Sequence, residues 1–170
     1  MDIFGEKYIP AMRKKDFKAA QEFLEQWKHS VSVGMYMWAK AGFYRDIGQK
    51  EKSYEILSHV IDEKMDDGKI CQESRAYNYL NDKQYLKSLI DYNIVISDKG
   101  TQVFEMYHDG SLFRKAYILA VLGETEFTDV IEQIPEDEEI FVIDAMYDKA
   151  SLICIYNANK KPVRPKPDLG

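Results

Sequence analysis

The chain is poor in the residues that catalysis and secretion need. Cys71 and Cys154 are its only cysteines, neither in a CxxC, so no disulfide framework is available and a reducing cytoplasm is the expected setting. No run of about 18 apolar residues occurs, which excludes a helix across a membrane. The opening MDIFGEKYIP has no basic segment followed by an apolar one, so no signal peptide is expected. The patterns G-x-x-x-x-G-K, G-x-G-x-x-G, H-E-x-x-H and G-x-S-x-G are all absent, which removes the usual phosphate-binding and hydrolase chemistries. Basic excess is missing too. A formal charge of −6 and a pI near 5.2 argue against a general nucleic-acid binder, because phosphate neutralisation needs a basic surface.

Histidine is equally scarce, with only His29, His59 and His108. Glu55, His59 and Asp62 fall at spacings that share a helix face. A metal site wants three convergent ligands with supporting partners, and exposed charge pairing accounts for the same three residues. His108-Asp109-Gly110 reads as a turn with no nucleophile beside it. Neither group is expected to be catalytic or to hold a metal, and no cofactor is expected. Cys71 and Cys154 both fall on apolar helix faces and read as small core fillers.

What is present is helical. At 170 residues the chain can bury the core of one domain, and 45% hydrophobic with 31% charged residues is ordinary for a globular protein. The stretch from Gly34 to Met65 is the clearest. Met37, Ala41, Tyr44 and Ile47 make one apolar stripe, and Tyr54, Leu57, Val60, Ile61 and Met65 make another. Gly48 sits where a left-handed C-cap belongs, so two helices fold back on one another there. Ahead of them, Ile3–Lys14 reads as a first helix with Pro10 near its start, and Asp16 as the N-cap of a second. Ser32 or Ser30 caps the helix that follows.

Beyond Met65, helices are expected over Ile70–Leu80 and from Tyr85 to Ile94, broken at Asn81-Asp82. A loop follows at residues 97–100. Thr101–Tyr107 is open between helix and strand. Ser111 caps a strong helix that stops at Gly123, and Phe127–Ile134 makes a short one ended by Pro135. Residues 136–157 allow two readings: one helix, or a hairpin joined at Asp148-Lys149. Asp148-Lys149 offers no residue that takes positive φ cheaply, so the helix is favoured. Residues 1–158 are expected to form one domain, and residues 159–170 a flexible tail rich in Pro and Lys.

The helices also repeat. At an offset of 33, Ala20 meets Ser53, Leu24 meets Leu57 and Trp27 meets Val60. A second step of 33 aligns Tyr44 with Tyr77, Gly48 with Asn81, Leu57 with Ile90 and Ile61 with Ile94, with this third unit slipped by about a residue near Tyr85. Ala41, Tyr44, Gly48, Ser53, Leu57 and Val60 match best the pattern of tetratricopeptide repeats, which the chain resembles over residues 5–95 and 111–135. The resemblance implies an all-α fold of antiparallel helical hairpins in a stacked array, with the C-terminal helix or short β-hairpin as a cap. Such arrays bind other proteins.

Charge is the other signal. Ten acids and no Lys or Arg lie between Glu124 and Asp148, leaving 19 acids and 23 bases in the rest of the chain. The whole negative balance is therefore carried by one stretch. It reads either as a solvated face or as a docking surface for a basic partner. In size, acidity, helix content and tyrosine richness, with 12 Tyr, the chain resembles bacterial immunity proteins of contact-dependent growth inhibition and related polymorphic toxin systems. That resemblance implies a non-catalytic, cytoplasmic inhibitor of a basic protein toxin, plausibly a nuclease. Neither nucleic acid nor membrane is an expected partner. The contact residues expected are Glu132, Glu136, Asp137, Glu138 and Glu139, then Tyr36, Tyr44 and Tyr77, of which the last two also fit a core. The alternative function is an adaptor or chaperone holding peptide segments in a concave groove.

Overall fold

Helix starts and stops in this chain are written by short polar residues and left-handed turns, and a computed structural model shows where each falls. It describes residues 4–99 and 102–160. Residues 1–3, 100–101 and 161–170 lie outside the described residues; the tail expected from residue 159 falls there except for Asn159, which ends the last helix, and Lys160, its C-cap. The described chain is helical but for one two-stranded sheet. No described helix is long and apolar enough to cross a membrane. The chain divides into two compact units, Met1–Tyr77 and Asn78–Gly170.

The first unit opens with a π-helical turn, Phe4–Tyr8, running into α1 (Ile9–Arg13) with Pro10 in its first turn. There the missing N–H of proline costs nothing. Next come α2 (Phe17–Trp27), α3 (Val33–Asp46), α4 (Lys50–Asp62) and the beginning of α5 (Gly68–Asn81). Asp16 caps α2 by accepting the Ala19 N–H at 3.1 Å, and Ser32 caps α3 by accepting the Met35 N–H at 3.0 Å. The Ser32 hydroxyl also donates to the carboxylate of Asp67. Trp38 Nε1 donates to Ser74 Oγ at 2.7 Å, and Arg75 Nη1 to Ser58 Oγ at 2.8 Å, which ties α5 to α3 and α4. Tyr8, Ala11, Ala20, Leu24, Ala39 and Phe43 form one core cluster; Ala41, Leu57, Val60 and Cys71 form another.

Five helix ends close in the same way. Residues 15, 48, 64, 83 and 123 have positive φ. At each, that residue's N–H reaches back three residues, and the next N–H reaches back five: Gly48 to Arg45 and Gln49 to Tyr44, Lys83 to Leu80 and Gln84 to Tyr79, and likewise at the others. This is the Schellman arrangement, which satisfies carbonyls the helix end would leave bare. At residues 15, 48 and 83 the following residue is also the N-cap of the next helix. The same tight reversal therefore recurs, at spacings of 33 and then 35.

The second spacing corrects the alignment read from sequence. Lys83, at φ 57, takes the place of Gly48, not Asn81. In the 35-residue register, buried Ser53, Leu57 and Val60 match buried Ser88, Tyr92 and Val95. An offset of 33 had set Leu57 against Ile90, which is 62% exposed. Ring contacts agree with the corrected register: Lys52 lies 4.0 Å from the Tyr44 ring centroid, and Lys87 lies 5.3 Å from that of Tyr79. Tyr79, not Tyr77, is thus the counterpart of Tyr44. The slip near Tyr85 is therefore two residues rather than about one, because a lysine rather than a glycine occupies the left-handed position.

The second unit holds α6 (Tyr85–Ser97), α7 (Gln102–Leu122), α8 (Phe127–Ile131), strands β1 (Glu139–Val142) and β2 (Ala145–Asp148), and α9 (Lys149–Asn159). The long helix α7 is its axis: Leu112, Phe113, Ala116, Ile118, Leu119 and Ala120 are all buried, and α6, α8 and α9 pack on it. Here the expected turn at His108-Asp109-Gly110 is overturned. Those residues lie inside α7, and Ser111, read as an N-cap, is a buried helix-interior residue. Burial of a continuous apolar face outweighs a local turn preference of about 1 kcal/mol. Gly123, at φ 65, then ends the helix, and a Cβ there would lie 2.2 Å from the carbonyl oxygen of Asn159, so only glycine admits the end of α9.

Residues 136–157 are neither of the two arrangements expected. The strands form a hairpin pairing Glu139 with Asp148, Ile140 with Tyr147, Phe141 with Met146 and Val142 with Ala145. Its turn is Ile143-Asp144, with Ile143 at φ 59 and the Asp144 N–H donating to Val142 C=O at 2.7 Å. A β-branched residue is the last one expected in that conformation, which is why the sequence concealed the turn. Asp148 does not join strands. It caps α9, accepting the Ser151 N–H at 2.7 Å. Cys71 is buried as expected, whereas Cys154 on α9 is exposed and fills no core.

Candidate interaction surface

The acidic stretch folds as α8, a turn through Pro135, and the hairpin, all in the second unit. Its carboxylates do different jobs. Glu126 pairs with Lys115 at 2.6 Å, fastening α8 to α7. Glu136 pairs with Lys149 at 2.7 Å, and the same ammonium donates to the Ile134 carbonyl at 3.0 Å. Lys149 thus clamps the Pro135 turn to the start of α9. Asp148 is held below the usual carboxylate range by hydrogen bonds from the Ser151 hydroxyl and then the Ser151 N–H. Glu132, Asp137 and Glu139 are exposed and Glu138 is half-buried. These four carboxylates make no ion pair among the described residues. The hairpin register sets Glu139 opposite Asp148, whose carboxylate is taken up by the Ser151 N–H and hydroxyl.

The expected tyrosines belong to the first unit. Tyr36 on α3 donates its hydroxyl to Glu25 of α2, with Lys40 Nζ 5.2 Å from its ring centroid. Glu25 is held below the usual range, first by the Tyr36 hydroxyl and next by Lys28, whose ammonium lies at 3.0 Å. Desolvation, then the Glu25 bond, pushes the Tyr36 phenol up. Tyr44 is half-buried under Lys52, edge-on to Phe43 with centroids 5.5 Å apart. Both tyrosines pack on the first core cluster. Tyr77 on α5 is half-buried.

Sequence reasoning missed a tyrosine cluster in the second unit. The rings of Tyr117 on α7 and Tyr147 on β2 lie 5.1 Å apart, and both interact electrostatically with Tyr85 at the start of α6. Burial, and then Tyr147, push the Tyr117 phenol up to about 12. The three tyrosines are 30 or more positions apart along α6, α7 and β2 or belong to a strand not foreseen, so no local pattern signals them. No group of three His, Cys, Asp or Glu among the described residues could hold a metal. Glu55, His59 and Asp62 remain exposed or half-exposed positions on α4. Open surface hollows, such as the one of about 470 Å³ over Lys18, Gln21, Glu22, Glu25 and Gln26, lack an enclosing wall. Comparison with protein-family models, with curated proteins and with solved structures finds no match to this chain.

Proposed function

We propose that this is a non-catalytic binding protein, an immunity protein that neutralises a basic protein toxin, plausibly a nuclease, in the cytoplasm. One observation carries the proposal: the entire negative balance of the chain lies in the Glu124–Asp148 stretch, where Glu132 at the end of α8, Asp137 in the turn after Pro135 and Glu139 on β1 are exposed to solvent. Concentrated like charge speeds association with an opposite-sign partner and rejects acidic ones. A nuclease groove that neutralises phosphate would accept such a surface as a mimic of its substrate. Recurrent helical reversals at residues 15, 48 and 83 support a tetratricopeptide-style stack as the platform for that surface. The adaptor alternative has less support, because Tyr36 and Tyr44 are engaged with Glu25 and Lys52 rather than presented to a groove.

The test is a charge reversal, Glu132→Lys with Asp137→Lys and Glu139→Lys, leaving Glu136 to hold Lys149. Partners encoded beside the gene are co-expressed with each form, and affinity is measured across a salt series. Reversal should weaken binding at least tenfold and flatten its salt dependence. Unchanged affinity and slope would end the acidic-docking proposal.

A further inference from the structure

Two apolar patches in the second unit remain uncovered once its core is filled. On α6, Leu86 is 71% exposed and Ile90 is 62% exposed. Four residues apart, they form one ridge, which Ile94 extends. The core does not use this ridge, since Ser88, Tyr92 and Val95 supply the buried face of α6. On the hairpin, the cross-strand partners Phe141 and Met146 are 50% and 56% exposed.

The rims of the two patches carry opposite charge. Lys83 and Lys87 border the α6 ridge and are exposed, while Asp91 of the same helix is buried. Glu139 and Asp148 sit on the same sheet face as Phe141 and Met146, because alternate residues share a face and these two pairs are two rungs apart. Asp144 lies exposed at the turn. Both α6 and β1 pack on α7, so the two patches are carried by elements seated on the same helix.

We infer that these patches are the two halves of a self-association interface, in which the hairpin face of one copy seats on the α6 ridge of a second copy. Complementary patches on one unit can be exchanged about a two-fold axis, which closes the assembly at a dimer. Phe141 and Met146 cover Leu86 and Ile90, while Glu139 of one copy meets Lys83 or Lys87 of the other. A lysine arriving there supplies the cation that Glu139 lacks among the described residues of its own copy. The patches are smaller than a standard interface, so the dimer is weak, with a dissociation constant on the order of 10 μM.

Sedimentation equilibrium on the full chain across about three decades of concentration tests this. The expected result is a reversible monomer–dimer equilibrium that weakens as salt rises. Leu86→Glu should abolish it. Glu139→Lys and Lys87→Glu should each weaken it about tenfold, and the double exchange should recover most of that loss. Lys87 also touches Tyr79, so Lys83→Glu serves as a second cation variant. These positions are exposed, and circular dichroism checks that each variant stays folded. A chain that is monomeric throughout, polymers beyond a dimer, association indifferent to Leu86→Glu, or a double exchange no better than its single changes would each overturn the inference.

Discussion

A Cβ placed on Gly34 would lie 1.7 Å from the carbonyl oxygen of Asp66. The first turn of α3 thus meets the backbone of the α4–α5 connection with no room for a side chain. Ser32 and Asp67 fasten the same junction with a side-chain hydrogen bond.

Gly34→Ala must push that backbone apart, and a loss of about 3 kcal/mol or more is expected, in the range of severe overpacking. Gly42, on the same helix, has nothing within 4 Å of its virtual Cβ. Gly42→Ala should therefore stabilise by about 0.5–1 kcal/mol through helix propensity alone. Urea denaturation of both variants checks the pair, and equal effects would contradict the close approach.

Ser53 and Ser111 are wholly buried, and neither hydroxyl has a hydrogen-bond partner among the described residues. The position equivalent to Ser53 in the preceding hairpin is Ala20, also wholly buried. Removing an unpaired hydroxyl removes a desolvation cost, so Ser53→Ala should stabilise by about 0.5–1.5 kcal/mol. A lowered melting temperature would count against this packing.

Ile143 holds φ 59 at the hairpin turn. At ordinary helix positions alanine outranks glycine, but here the order should reverse. Ile143→Gly should be more stable than Ile143→Ala by about 1 kcal/mol, since only glycine enters that region without strain. Comparing the two variants by denaturation cancels the common loss of the isoleucine side chain.

Burial pushes the phenols of Tyr8 and Tyr117 up from 10.0 to about 12, with Asp46 and Tyr147 as the respective secondary causes. The Cys71 thiol rises from 9.0 to about 12 for the same first reason, with Asp67 second. In each case the folded chain keeps a proton that the unfolded chain releases. Stability is therefore intact below about pH 9 and falls progressively between pH 9 and 12. Circular dichroism against pH, with tyrosinate absorbance recorded in parallel, should show unfolding and ionisation of the buried phenols together. Phenols that all titrate near 10 in a folded protein would disprove the burial. Before that transition, a thiol reagent should label exposed Cys154 and leave Cys71 untouched.

Much of the helical outline was legible in the residues. Asp16 and Ser32 announce caps, Gly48 and Gly123 announce stops, and the spacing of Leu57 and Val60 announces a buried face, because each effect acts within one or two turns. The acidic stretch was equally plain, since charge is counted rather than folded. Three features were decided only by tertiary structure. His108-Asp109-Gly110 became helix because they lead directly into the run from Ser111 to Ala120, where α7 is buried. Ile143 turned a hairpin because Ile140 and Val142 on one side, with Tyr147 on the other, find cover in that register. The repeat slipped by two residues at Lys83, whose left-handed backbone is stabilised by hydrogen bonds of the reversal and by nothing visible in a lysine. Local chemistry set where helices begin and end; long-range burial chose which of the locally unfavourable conformations were kept.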